Sequence, residues 1–171
     1  MQKLIFQFIV ILFLFFACGP SQKTQKENIF RMQKELESNF DTTAIAKLID
    51  MYDTYIAKYP EDSLIPEFIF RVAEANRALM RGTQALINYD LLIKQYPNSE
   101  YVPECYFLKG LVFEDVLYDF NAANLSYREF IDKYPEHHLK NDAELSLNYL
   151  GMSIEQIIET FSDTLTVDAI R

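Results

Sequence analysis

The side chains able to do chemistry in this sequence are few and dispersed. There are two cysteines, Cys18 and Cys105, two histidines, His137 and His138, and 25 carboxylates against 16 cations, with four glycines in all. A thiol can act as nucleophile, disulfide partner, metal ligand or acylation site. Adjacent histidines on an extended turn point in different directions, so joint metal ligation would require ligands from elsewhere; a solvated turn is the expected place for this pair. Paired carboxylates can serve as general acid and base, but here they are spread along the whole chain, the pattern of a solvated face. Neither a glycine-rich phosphate loop, a nucleophile elbow nor an HExxH helix is present. The expectation is no catalytic residue, no metal and no cofactor. An acidic balance of this size also repels phosphate backbones, which argues against a nucleic-acid partner.

Cys18 differs because of what precedes it. Met1-Gln2-Lys3 is followed by Leu4 to Ala17, in which Gln7 is the only polar residue. Such a stretch rises about 21 Å as a helix, whereas a bilayer core needs roughly 20 residues, so a signal peptide is favoured over a permanent span. Phe15 and Phe16 before Ala17 do not suit ordinary secretory cleavage, but a small residue directly before a cysteine resembles the bacterial lipoprotein signal. Phe15 departs from that pattern, which prefers Leu there. The resemblance implies that residues 1–17 are removed, that Cys18 carries the lipid and that, with Gly19 rather than Asp next, the anchor lies in the outer membrane with the protein facing the periplasm. The competing reading is an unprocessed leader with an incidental thiol. Loss of Lys3 with the leader changes the formal charge from −9 to −10. With Cys18 acylated, Cys105 has no disulfide partner and is expected as a small core hydrophobe. Residues 18–28, polar and opened by Gly19-Pro20, are expected to form a tether.

The rest of the chain is organised by a repeat. Tyr59-Pro60, Tyr96-Pro97 and Tyr134-Pro135 are spaced by 37 and 38 residues. Four residues after each Pro stand Leu64, Tyr101 and Leu139; six after stand Pro66, Pro103 and Asn141; seven after stand Glu67, Glu104 and Asp142. The first Pro ends a helix, the second suits the first turn of the next, and the acid faces the positive end of its dipole. Ala73, Gly110, Ala85, Ala122 and Ala123 offer small residues where two helices cross. Apolar positions such as Leu86, Tyr89, Leu92, Ile93 and Tyr96 follow helical spacing. Helices are predicted near 25–39, 43–58, 66–80, 83–95, 103–117, 121–133 and 140–159, with Thr83 and Asn121 as N-caps.

A helical pair with small crossing residues and a Pro after its second helix resembles the tetratricopeptide repeat. The run Tyr96 to Gly110 is similar to the subtype of the BamD and CpoB (YbgF) families of envelope proteins. The resemblance covers about residues 43 to 151 and departs at Leu48 and Asn148, which replace small residues in the outer units. It implies an all-α solenoid of about three repeats plus a capping helix over residues 29–160, followed by a tail at 161–171. It also implies a concave groove lined by first helices, which places Phe70, Glu74, Arg77, Phe107, Leu111 and Glu114 at partner-binding positions. Phe70 and Phe107 fit the core equally well. The expected function is that of a non-enzymatic envelope scaffold or adaptor holding a protein or peptide, in outer-membrane protein assembly or envelope coordination. The alternative is capture of a small ligand such as a glycan, for which Tyr101, Tyr106 and Tyr118 would supply stacking rings.

Overall fold

A computed structural model describes residues 19–38 and 40–160. The leader, the proposed lipid site Cys18 and the tail 161–171 lie outside the described residues. The helices are α1 (Gln22–Leu36), α2 (Thr42–Lys58), α3 (Ile65–Ala78), α4 (Gly82–Gln95) and α5 (Val102–Leu111), then α6 (Phe120–Lys133) and α7 (Lys140–Tyr149). α5 runs directly into a π-helical turn over Val112–Val116, and residues 154–160 are helical again. No strand occurs among the described residues. Each helix packs on the one before it and the one after, so the architecture is an α-solenoid of helical pairs.

The Tyr-Pro turns share one hydrogen-bond skeleton. Asp62, Ser99 and His137, each two residues after its Pro, donate their N–H to Tyr59, Tyr96 and Tyr134 carbonyls at 3.0, 2.9 and 3.1 Å. Their side chains then accept from the N–H two residues on: Leu64 to Asp62 at 3.0 Å, Tyr101 to Ser99 at 3.4 Å and Leu139 to His137 Nδ1 at 3.3 Å. Short polar side chains favour such local bonding, and it closes each turn before the next helix opens. Pro66 and Pro103 occupy first turns, as expected, with Glu67, Glu104 and Asp142 in theirs.

Between helices of a pair the small residues do what their spacing required. Ala73, Ala85, Ala123 and Ala143 are fully buried, and Gly110 is buried against the Tyr127 ring. Tyr52, Tyr89 and Tyr127, one per pair, fill the layer between first and second helices. Burying side chains of this size removes roughly 150–250 Å² each from water, the main source of stability in a chain without tryptophan.

Four boundaries differ from expectation. α1 starts at Gln22, inside the stretch read as tether, because Ser21 caps it and Gln22 and Lys26 bond to Asp62. Thr83 and Asn121 are not N-caps. α3 closes with Arg81 N–H on Asn76 O and Met80 N–H on Arg77 O, a Schellman arrangement with Met80 left-handed at φ 56°, so α4 begins at Gly82 without a side-chain cap. α6 is capped by Asp119, whose carboxylate accepts from Ala122 N–H at 3.0 Å. The helix predicted over 140–159 breaks at Gly151, left-handed at φ 74°, and restarts at 154.

Candidate partner-binding groove

Of the six positions assigned to the groove, the structure separates the aromatic from the polar ones. Phe70 is 6 % exposed, stacked on Tyr101 with ring centroids 4.8 Å apart and flanked by Tyr89. Phe107 is 7 % exposed between Tyr127 and Phe130, at 5.8 and 5.6 Å. Both are core residues, a correction to their placement in the groove. Phe70 is covered by Tyr89 of α4 and by Tyr101 of the next Tyr-Pro turn, Phe107 by Tyr127 and Phe130 of α6, and large rings gain more from that contact than from solvent. Leu111 is half-buried against the second core cluster.

Glu74, Arg77 and Glu114 are partly exposed and lie in two separate polar clusters, one in each of two successive units. Arg77 donates Nε and Nη2 to the two Glu74 oxygens at 3.1 and 3.0 Å, a bidentate fork, and the Tyr89 hydroxyl donates to the same carboxylate. One unit later the Tyr127 hydroxyl donates to Glu114 Oε2 at 2.6 Å. A phenol rooted in the second helix thus fastens a carboxylate of the first. Burial, reinforced by the adjacent carboxylates, pushes both phenols well above their ordinary value, so they remain donors at any physiological pH. Hydrogen bonding to Glu74 raises the Arg77 guanidinium further, which keeps it charged. These clusters can therefore accept hydrogen bonds and ion pairs from a partner.

The π turn explains why the carboxylate changes position between units. From the first residue of α3 to left-handed Met80 is 15 residues, and from the first residue of α5 to left-handed Tyr118 is 16. From each left-handed residue to the following Tyr-Pro proline is 17 in both units. The residue that makes the second period 38 therefore lies between Val102 and Tyr118, and the π turn, where Leu117 N–H bonds back to Val112 O at 3.0 Å, absorbs it. That wider turn brings Glu114, the register equivalent of Arg77, onto Tyr127, while Leu111 takes the register of Glu74.

A second polar centre had no counterpart in the sequence reading. Asp62 Oδ2 accepts from Gln22 Nε2 at 2.5 Å, Tyr55 hydroxyl at 2.8 Å and Lys26 Nζ at 2.9 Å, while Oδ1 holds Leu64 N–H. The Leu64 N–H and then Lys26 hold its carboxyl down at about 2. The one signal for it was the polar residue two after each Tyr-Pro proline, which is Asp in this turn alone.

The remaining candidates resolve simply. Cys105 is buried, and desolvation pushes its thiol up to about 12, so it packs and does not react. The His137 and His138 rings lie against each other, centroids 4.3 Å apart, instead of diverging. His137 belongs to its turn and packs edge-on against Phe130, and burial lowers its pKa. Among the described residues no group of three or more His, Cys, Asp or Glu could hold a metal ion, and no helix is long and apolar enough to cross a membrane. Tyr101 and Tyr106 are engaged with Phe70 and Tyr134, leaving Tyr118 as the one exposed ring of the three.

No curated protein matches the chain. Residues 104–137, which are α5, the π turn, α6 and the start of the closing Tyr-Pro turn, match the tetratricopeptide repeat.

Proposed function

We propose that this chain is a lipid-anchored scaffold of a bacterial cell envelope that holds a protein partner in its helical-repeat groove. The observation carrying this is the pair of pre-bonded polar clusters at Glu74, Arg77 and Glu114, set in a stack of which one unit matches the tetratricopeptide repeat, a module that generally mediates protein–protein interaction. Fixing these side chains before a partner arrives lowers the ordering cost of binding. Cys18 is the attachment point in this reading. The outer membrane, periplasm-facing, is its proposed place, and outer-membrane protein assembly or envelope coordination its proposed setting. Glycan capture has less support, because Tyr101 and Tyr106 are engaged in packing.

The test combines location and capture. A Cys18→Ser chain is expected in the soluble fraction, and its persistence in membranes would refute the anchor. Affinity purification from crosslinked membranes is expected to recover barrel-assembly or envelope-coordination components with the native chain, and less with Glu114→Lys. Recovery of nothing above background would sink the scaffold reading.

A further inference from the structure

The two edges of the solenoid differ in what they do with apolar side chains. At the Tyr-Pro edge, Tyr59, Leu64, Tyr96, Tyr101, Tyr134 and Leu139 all pack against the core clusters. At the opposite edge, where each first helix turns into its second, every turn shows a large apolar side chain to solvent. These are Phe40 (68 % exposed), Met80 (60 %), Tyr118 (69 %) and Met152 (43 %), with Leu117, Phe120 and Ile154 beside them. Three of the four turns are in contact along the edge: Gly82 lies against Leu117 and Val116, and Gly151 against Phe120. Met80 and Tyr118 also adopt left-handed backbone, where glycine would be free and other L residues cost about 1–2 kcal/mol. Exposure and strain therefore coincide at equivalent positions of two successive units, and contiguous apolar surface of this kind marks an interaction site.

Three features select the occupant. The edge is acidic as well as apolar: Glu37, Asp41 and Asp119 stand in its turns against Arg81 alone, with exposed Asp115 and Glu155 alongside. A second copy or an anionic bilayer would meet like charge. The N-terminus of α1 is tied to Asp62 at the Tyr-Pro edge, so the first described helix begins on the opposite side of the stack from these turns. The contacts of Gly82 with Leu117 and of Gly151 with Phe120 put neighbouring turns within side-chain reach, a spacing on the order of 10 Å that an α-helix covers in roughly seven residues. We propose that this edge, distinct from the groove, docks a cationic amphipathic helix of a protein partner, laid along the turns with one apolar residue in each seven against them.

The purified full chain is titrated with a synthetic helical peptide carrying Leu at every seventh position, flanked by Lys. A second peptide with the same Leu stripe flanked by Glu serves as comparison. Saturable binding of the Lys peptide is expected, weakened at least about tenfold by Met80→Asn with Tyr118→Asn and unchanged by Glu136→Gln, an exposed acid of the opposite Tyr-Pro edge. Asn accepts left-handed backbone, so the double variant should fold at least as stably as the parent. No binding, equal binding of the Glu peptide, or binding that survives the double variant would overturn the proposal, the last by reducing it to charge attraction. So would sedimentation showing that the chain alone dimerises through this edge.

Discussion

At Gly110 a single missing carbon decides whether two helices meet. A methyl group there would overlap the Tyr127 ring, itself enclosed by Phe107 and Phe130. Gly110→Ala is expected to lose about 1–3 kcal/mol by urea denaturation, overpacking outweighing the gain in helix propensity of up to about 1 kcal/mol. Gly82→Ala, whose methyl meets the side chains of Leu117 and Val116 and no aromatic ring, should cost less than Gly110→Ala in the same assay. Asp62 sets a pH limit. Its folded pKa, about 2, lies below the unfolded value near 3.9, so its contribution is complete above pH ~4 and is lost as pH falls toward 2. Asp62→Asn should lower stability at pH 7 by about 1–3 kcal/mol and flatten that acid limb in thermal melts at stepped pH. The small residue at Gly110 was legible from the period. Asp62 was not, because its partners Gln22 and Lys26 come from α1, 40 and 36 residues away.

At the scale of elements, α5 and its π turn show how a repeat absorbs a length change. An extra residue in a continuous α-helix rotates everything after it by about 100°. The π turn confines that rotation to Val112–Val116, so Asp119 can cap α6 and Tyr127 stays in register with Tyr89. Deleting Asp115, which is exposed in this turn, should leave helical content and cooperative unfolding intact while removing the Tyr127–Glu114 bond. Deleting Asn124 from α6 should abolish cooperative unfolding of that unit, because Tyr127 and Phe130 would turn out of the core. Circular dichroism through a thermal melt distinguishes the two. The spacings of 37 and 38 were visible in the sequence, but the location of the additional residue was not. Hydrogen bonding across the turn settles that.

At the scale of the whole molecule, a solenoid makes mostly neighbour contacts, so its surfaces can specialise separately. The groove floor, the closed Tyr-Pro edge and the open apolar edge are distinct parts of one stack. If the proposed anchor holds, Cys18→Ser should alter membrane partition without altering the melting temperature, since α1 is held by Ser21 and Asp62; fractionation with a parallel melt checks both halves. The all-α repeat architecture, the turn positions and the apolar stripes were determined by the sequence itself, because proline geometry, helix dipoles and 3.6-residue spacing act within a few residues. Tertiary structure alone decided which face of each stripe was covered. Phe70 and Phe107 carry the same local signal as groove residues, and they are core because Tyr101 of the next Tyr-Pro turn and Tyr127 and Phe130 of α6 arrive to bury them. Burial depends on what a distant segment places opposite a residue, and local spacing carries no record of that.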